Sequence, residues 1–323
     1  MLDDILRYSE EIDKLVPRAV EESLKVKVKN IKKLTHGEVN YVYKVETDNR
    51  TVVIRVFRRK YWPNIKRVKY IEELLKDIHG VHPETLFLTS DSSIFENGFM
   101  ITEYIEGKNG QEAIEQKNIS FEEFHRQLFK KLKRIYEIPI VGFGHLNPED
   151  ETYDDFLSFR IGQLHDRFND LETIPEYDEV YLTQIEDVFK KLIEPLNSRI
   201  KPVIVHGDAT PANTIYTSNA EIIILDWDNA SANTFMRDIS LLTYWGSHVT
   251  SEGEKSIRNE ILWKLLLEEF GNIGFTEKEL KTLERINHIG ISLDNLPYYL
   301  LDQKNQEAYE LVKKRLTELV EGD

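Results

Sequence analysis

The chain has 323 residues, of which 41% are hydrophobic and 31% charged, and its formal net charge is −15. This composition is typical of a folded chain with a buried core and argues against global disorder. The acidic balance argues against a nucleic-acid backbone or an anionic membrane as the main partner, and the lack of cysteine excludes disulfides, zinc–thiolate sites and thiol nucleophiles.

The expected compartment is the cytoplasm. The first residues, Met1 to Leu6, are acidic and lack the long apolar core of a secretory signal. The longest apolar runs have the length of strands and are too short to span a membrane. The absence of cysteine agrees with a reducing compartment. We therefore expect neither a membrane nor a nucleic acid as partner, and the sequence leaves the oligomeric state open.

The first hundred residues predict a small lobe of antiparallel strands with one main helix. Residues 1–24 have the apolar spacing of an amphipathic helix or two and predict a helical extension. Strands are predicted over residues 26–31, 41–47, 51–57, 86–89 and 99–104. Residues 64–78 carry apolar side chains at helical spacing and predict the main helix of this lobe.

After Gly107 the pattern becomes mostly helical. Residues 110–137, 152–198 and 236 to the end predict helices, and two glycines mark a loop over residues 139–148. The expected fold class is therefore α+β. We expect an N-terminal lobe of residues 1–104 and a larger C-terminal lobe of residues 105–323.

One motif in the C-terminal lobe carries most of the chemical information. A strand-like run leads into His206-Gly207-Asp208, and Asn213 follows Asp208 by five residues. A predicted hairpin then ends at Asp226 and would place this carboxylate beside Asn213. Protein kinases use the same order of a catalytic Asp, an Asn five residues later and a metal-binding Asp after the next hairpin.

Each of these residues has a candidate role in phosphoryl transfer. Asp208 is suited to orient and deprotonate an acceptor hydroxyl, while Asn213 and Asp226 offer the oxygen ligands that Mg²⁺ prefers. Taken singly, the motifs have ordinary explanations, because Gly-Asp is common in turns and an Asp after a strand often caps a helix. Their joint order with a hairpin between them favours the functional interpretation.

The segments His206–Asp208 and Asp226–Asp228, with Asn213 between them, resemble the aminoglycoside phosphotransferase and choline kinase superfamily. The resemblance covers roughly residues 25–245. It implies a protein-kinase-like two-lobe fold and the phosphorylation of a hydroxyl group on a small molecule. It also implies that Asp238 is a structural brace.

The resemblance assigns the nucleotide side to the N-terminal lobe. Arg55 stands on the strand where the family carries a phosphate-contacting Lys, and Glu72 on the following helix would hold this cation. Asn40 lies in the turn that would cover the phosphates, and the backbone groups of Glu103 and Ile105 would bind adenine. The implied cofactors are ATP and Mg²⁺.

The acceptor remains open between an aminoglycoside, choline or ethanolamine, homoserine and a thiamine-like alcohol. Asp228 and Asp294 could attract an amine, and an aromatic cage would suit one. Its candidate members are Tyr244, Trp245, Trp263, Tyr298 and Tyr299, each of which also fits ordinary core packing.

Two alternative functions are disfavoured by the sequence. A protein kinase is disfavoured because Asp-Trp-Asp replaces Asp-Phe-Gly and no Ala-Pro-Glu follows. A catalytically inactive nucleotide-binding module is disfavoured because Asp208, Asn213 and Asp226 are all present.

Overall fold

The structure is a computed structural model. It describes residues 10–35, 40–60, 62–90, 92–147, 149–171, 174, 177–246, 252–271 and 273–322. The α-helices in these ranges are α1 Glu10–Leu24, α2 Ile65–Leu75, α3 Gly110–Glu115, α4 Phe121–Tyr136, α5 Phe156–Leu171, α6 Glu179–Ile193, α7 Met236–Trp245, α8 Glu252–Phe270, α9 Glu277–Pro297 and α10 Gln306–Glu321. The strands are β1 Val28–Thr35, β2 Asn40–Thr47, β3 Thr51–Phe57, β4 Thr85–Thr89, β5 Phe99–Glu103, β6 Gly107–Asn109, β7 Gly144–His145, β8 Val203–Val205, β9 Thr214–Thr217, β10 Ile222–Ile224 and β11 Ser231–Asn233.

The chain divides into two compact units. The first comprises Met1–Ala113 and Pro211–Asp228, and the second comprises Ile114–Thr210 and Asn229–Asp323. The hairpin of β9 and β10 belongs to the first unit because β9 pairs with β6. The predicted boundary between functional lobes at residue 104 stays a prediction.

The main sheet of the first unit has five antiparallel strands in the order β1-β2-β3-β5-β4. Side chains alternate between its two faces, as the pleat of a strand requires. In β3, Val52, Ile54 and Val56 are fully buried in a core that also holds the buried residues of α1. Val53 and Arg55 lie on the other face, which lines a cavity. One face of β3 therefore packs into the core, and the other face lines the cavity.

A second antiparallel sheet in the same unit positions two of the candidate site residues. Its order is β10-β9-β6, with Ile224 opposite Thr214 and Gly107 opposite Thr217. Gly107 is required at its position because a Cβ there would lie 2.5 Å from the carbonyl oxygen of Tyr216. The pairing brings the residues before β9 and after β10 to one end of the hairpin.

The second unit is mainly helical and contains a small sheet in the order β7-β11-β8. Helix α9 is buried over most of its length and packs against α5, α7 and α10. A capping box of Thr276 and Glu279 begins this helix, since each side chain bonds the backbone N–H of the other. The small sheet carries β8, which leads directly into His206.

The α+β prediction is confirmed, with an antiparallel sheet in the N-terminal region and helices in the C-terminal part. The bounds of β3 agree with the predicted strand at both ends. The loop predicted over residues 139–148 contains the short strand β7, and β6 and β11 were also not predicted. Strands of two or three residues are too short to show an alternating pattern. The first nine residues of the predicted N-terminal helix lie outside the described residues.

Among the described residues, no helix combines the length and the apolar character that crossing a bilayer requires.

Candidate active site

A cavity of about 520 Å³ lies in the first unit, against the face of the main sheet that α1 does not cover. Val42, Val53 and Met100, from β2, β3 and β5, give it an apolar wall. Six of the predicted site residues line it: Arg55, Glu72, Glu103, Ile105, Asn213 and Asp226. An apolar cavity with a few convergent polar groups is the usual form of a small-molecule site.

Arg55 connects the sheet to the end of the β9–β10 hairpin. Its Nη2 atom lies 2.5 Å from Oδ2 of Asp228 and 3.2 Å from Oδ1 of Asp226. The Arg55 side chain is only 13% exposed, and burial alone would lower its pKa. The carboxylates of Asp228 and Asp226 outweigh burial and raise the pKa of Arg55 above its usual value. The guanidinium is therefore a permanent cation in this cavity.

Asp228 is the buried member of this ion pair, with a side chain that is 6% exposed. Burial raises the pKa of Asp228 to about 6, against the opposing influence of Arg55. Arg67 on α2 also fixes this residue, because its Nη1 donates to the Asp228 carbonyl oxygen at 3.0 Å. Asp228 was also a candidate for attracting an acceptor amine. In the structure it holds the cation of β3.

Asp226 and Asn213 meet at the end of the hairpin. The backbone N–H of Leu225 donates to the Asn213 carbonyl oxygen at 2.8 Å, so Asp226 directly follows a residue bonded to Asn213. Asp226 has a φ of 61°, in the left-handed region that few non-glycine residues adopt. Such conformations concentrate at functional sites, where the surrounding structure enforces them. The side chain is 43% exposed, so its carboxylate remains accessible for a ligand.

The donor set fits a magnesium ion that is bound together with phosphates. Asn213 offers an amide oxygen and Asp226 a carboxylate, and both line the same cavity. Within the described ranges, no group of three or more His, Cys, Asp or Glu residues could hold a metal ion on its own. Mg²⁺ usually takes one or two protein carboxylates and completes its octahedron with phosphates and water. Two protein ligands are therefore enough.

Glu72 is half-buried in the wall formed by α2. Burial raises the pKa of its carboxyl, and a hydrogen bond with Thr85 partly opposes that shift. Arg55 is held by Asp226 and Asp228, and the predicted contact between Arg55 and Glu72 stays a prediction.

Glu103 and Ile105 lie at the edge of the cavity after β5. The Glu103 N–H donates to the carbonyl oxygen of Glu84 at 2.9 Å, so this N–H is already used within the turn. Its side chain accepts from the Glu84 N–H at 2.9 Å and is used in the same turn.

Asn40 begins β2 opposite Phe57 and is 5% exposed. The described lining of the cavity does not include Asn40, and residues 36–39 of the predicted phosphate loop lie outside the described residues.

The His-Gly-Asp segment is built in the second unit, where β8 ends and the chain turns. Gly207 has a φ of 81°, and a Cβ there would lie 2.5 Å from the carbonyl oxygen of Asn229. Only glycine combines that backbone conformation with so close an approach. The half-buried Asp208 follows, and its N–H donates to Nδ1 of His206 at 3.1 Å.

Asp238 holds this turn in place by hydrogen bonds, as the resemblance implied. Its Oδ1 accepts from the Gly207 N–H at 2.8 Å, and its Oδ2 accepts from the His206 N–H at 3.1 Å. The hydroxyl of Tyr136 donates to the same Oδ2 at 3.0 Å. Asp238 is fully buried, and burial raises the pKa of its carboxyl despite these donors. Three donors on one carboxylate fix the backbone from which Asp208 projects.

Two of the aromatic residues proposed for an acceptor cage, Tyr244 and Trp263, are engaged by cations of the chain itself. Tyr244 is fully buried with its hydroxyl 3.1 Å from Ser292 Oγ, and the Arg315 guanidinium lies 4.0 Å from the centre of its ring. The ammonium of Lys281 lies 3.7 Å from the centre of the Trp263 ring. The chain's own cations thus cover two of these rings.

The charge of the Asp294 carboxylate, the other candidate for attracting an amine, is neutralised by two arginines. Arg167 and Arg237 contact its carboxylate at 2.8 and 3.0 Å. Burial would raise the pKa of Asp294, but the two arginines keep it below its usual value. This carboxylate is therefore part of a half-buried ion-pair cluster.

The fold and the site together define a kinase-like phosphotransferase. The sequence model of the phosphotransferase enzyme family matches residues 30–258, which is more than two thirds of the chain. The chain belongs to this family and is a phosphotransferase that acts on the hydroxyl group of a small molecule. No curated protein matches the sequence.

Several solved structures share the fold. A thermostable mutant of aminoglycoside phosphotransferase APH(4)-Ia, in a ternary complex with AMP-PNP and hygromycin B, has a TM-score of 0.70 at 16% identity, over 95% of this chain and 99% of that one. Choline kinase LicA from Streptococcus pneumoniae has a TM-score of 0.64 at 17% identity, over 96% and 98% of the two chains. The GDP and kanamycin complex of APH(2")-IIia has a TM-score of 0.62 at 14% identity, over 93% and 96%. At these identities the likeness concerns the fold, and it confirms the protein-kinase-like prediction.

Proposed function

We propose that this protein is an ATP- and Mg²⁺-dependent kinase that transfers the γ-phosphoryl group to a hydroxyl of a small, amine-containing acceptor. The observation that carries the proposal is the left-handed Asp226 beside Asn213, held by Arg55 in a cavity of about 520 Å³. This combination supplies a carboxylate, an amide oxygen and a permanent cation where a nucleoside triphosphate needs them.

The apolar wall of the cavity suits the adenine ring. Val42, Val53 and Met100 offer an apolar surface, and the carbonyl of Glu103 and the N–H of Ile105 would serve as acceptor and donor at its edge. Arg55 would contact the phosphates with a planar fork of donors. Glu72 would orient that fork, and Asn40 would contribute to the cover over the phosphates.

Asn213 and Asp226 would hold Mg²⁺ in this cavity. The ion would neutralise charge on the phosphate oxygens during transfer. Arg55 already contacts Asp226, so it would release that carboxylate in part when the ion binds. The remaining contact with the buried Asp228 would keep the guanidinium in place.

Asp208 would perform the proton chemistry. Its carboxylate would accept the proton of the acceptor hydroxyl, whose oxygen forms a bond to the γ-phosphorus as the bond to the β–γ bridging oxygen breaks. The products are the phosphorylated acceptor and ADP. The rigid turn at Gly207, fixed by Asp238, would hold the carboxylate in the orientation that this step needs.

An amine on the acceptor is supported by charge. The chain carries a formal net charge of −15, which attracts small cations over long distances. Two of the related structures contain hygromycin B or kanamycin, and another is a choline kinase. Aminoglycosides, choline, ethanolamine, homoserine and thiamine-like alcohols are therefore the acceptors to test, and a cytoplasmic location stays a prediction.

A substrate panel with ATP or GTP tests the proposal. We expect Mg²⁺-dependent formation of ADP with at least one amino alcohol in the panel. The variant Asp226→Ala should lose both Mg²⁺-dependent nucleotide binding and transfer, because the accessible carboxylate of the cavity is removed. As a matched control, Asp48→Ala changes an exposed aspartate of the same unit at the β2–β3 turn and should leave both unchanged. Wild-type nucleotide binding and turnover in the Asp226 variant would refute the assignment.

A further inference from the structure

A second cavity, of about 260 Å³, lies in the second unit. Its floor is formed by four aromatic rings, those of Tyr136, Phe235, Phe270 and Phe275. The Phe235 and Phe270 rings stack with centres 5.7 Å apart, and Tyr136 lies 5.9 Å from Phe270. A cluster of aromatic rings favours an aromatic ligand, because aromatic pairs gain from offset-stacked or edge-to-face contacts as well as from burial.

The rim of this cavity is basic, in contrast to the whole chain. Lys133, Arg199 and Lys201 line it, against Glu137 as the carboxylate among the described lining residues. Arg199 is already paired with Glu279. Arg199 also lies 5.1 Å from the centre of the Phe275 ring. Lys133 gives one of its three N–H donors to the carbonyl oxygen of Glu269 and lies at a longer 5.9 Å from the centre of the Phe270 ring, and Lys201 is exposed. Two ammonium groups at the mouth of an aromatic cavity complement an anion.

The walls of the cavity belong to the elements that hold the catalytic loop. Val203 lines it and begins β8, which ends immediately before His206. Phe235 lines it and directly precedes α7, which carries Asp238. Tyr136 lines it and donates its hydroxyl to the Asp238 oxygen that also accepts from the His206 N–H. A ligand on the ring of Tyr136 would therefore contact a residue that is linked to the catalytic turn by two hydrogen bonds, through Asp238.

We propose that this cavity binds a small aromatic carboxylate and that binding is transmitted through Tyr136 and Asp238 to the backbone of His206 and Gly207. The ring of the ligand packs against these aromatic side chains, and its carboxylate pairs with the ammonium groups of Lys133 and Lys201. The volume limits the ligand to one or two fused rings, because it lies just below the usual range for small-molecule sites. Binding restricts the Tyr136 ring and so strengthens the bonds that fix the catalytic turn.

Calorimetric titration of the full chain with 2-naphthoate tests the binding. We expect saturable binding of one molecule, about tenfold weaker binding of the neutral 2-naphthalenemethanol and no measurable binding of 2-naphthylmethylamine. The variant Lys201→Glu should weaken binding of 2-naphthoate about fivefold to tenfold. The control Lys191→Glu makes the same charge change at an exposed lysine on α6 outside the cavity and should stay within twofold of the wild type. Equal binding of acid, alcohol and amine, or equal effects of the two variants, would overturn the site.

Amide hydrogen exchange tests the transmission without any phosphoryl transfer, so its outcome is independent of the proposed kinase activity. Saturating 2-naphthoate should slow exchange at the His206 and Gly207 amides, both of which donate to Asp238, at least about threefold. In Tyr136→Phe, which keeps the ring and loses the hydroxyl, binding should persist within twofold and the slowing should disappear. Unchanged exchange in the wild type, or the same slowing in Tyr136→Phe, would overturn the coupling.

Discussion

Arg55 holds two carboxylates, Asp226 and Asp228, at the end of one loop. Removing a partner from a buried ion pair leaves an uncompensated charge, which typically costs about 3 to 5 kcal/mol. We therefore expect Arg55→Ala to lower the free energy of unfolding by about 3 kcal/mol and to abolish measurable nucleotide binding. Arg55→Lys keeps the charge without the planar fork, so it should lose less unfolding free energy and less nucleotide affinity than Arg55→Ala. Chemical denaturation and nucleotide titration measure the two effects.

A second substitution should restore part of the stability that Arg55→Ala removes. In the Arg55→Ala background, Asp228→Asn removes the charge that was left without its cation and should recover part of the lost free energy of unfolding. It should not recover nucleotide binding, because the cation for the phosphates is still missing. Full stability in Arg55→Ala alone would show that the ion pair contributes nothing to the fold.

Gly207 is a second position where one residue type is required. A methyl group there would meet the Asn229 carbonyl oxygen at 2.5 Å in a backbone with φ of 81°. We expect Gly207→Ala to lower the free energy of unfolding by about 3 kcal/mol and transfer by at least tenfold, since backbone strain of this kind costs about 1 to 3 kcal/mol before the clash is added. Gly274 is a matched control with a φ of 84° and nothing within 4 Å of its Cβ. Gly274→Ala should cost only about 1 kcal/mol, and equal losses in the two variants would contradict a clash at Gly207.

At the scale of one element, β3 separates stability from binding along consecutive residues. Val52 is fully buried against the core shared with α1, whereas Val53 lines the nucleotide cavity. Val52→Ala should lower the free energy of unfolding by about 2 kcal/mol, from two lost methyl groups and the cavity they leave, with unchanged nucleotide affinity. Val53→Ala should show the reverse, with weaker nucleotide binding and a smaller loss of stability. If both variants changed the same property, the two faces of the strand would not have separate roles.

The elements that could be predicted are those whose own sequence is periodic. The alternation in β3 gave its bounds, and the apolar runs around Asn213 and Asp226 predicted their hairpin. The partner of Arg55 could not be predicted in this way, because Asp228 lies 173 residues away and its position depends on the folded hairpin. The strands β6, β7 and β11 exist through their pairing with distant partners and carry no local signal. Tyr244 shows the opposite limit, because its chemistry suits a cage and its packing places it in the core.

At the scale of the whole molecule, buried histidines make stability depend on pH. Burial lowers the pKa of His125 to about 4, from 6.5 in the unfolded chain. Between these values the unfolded chain binds the proton more strongly, so the contribution of His125 is complete above pH 6.5 and is lost as the pH falls towards 4. In His125→Phe this contribution is absent. We expect the difference in unfolding free energy between wild type and variant to change by roughly 3 kcal/mol between pH 7.5 and 4, and a difference independent of pH would contradict it.

The central claim is that the first unit binds the nucleotide and that Asp208 of the second unit performs the transfer. The most direct test measures nucleotide affinity and acceptor phosphorylation in Asp208→Ala. We expect ATP affinity within about twofold of the wild type and a loss of transfer rate of at least about a hundredfold. A hundredfold is the lower limit of the rate enhancement that a positioned general base typically supplies. Wild-type phosphorylation of the acceptor by Asp208→Ala would contradict the account.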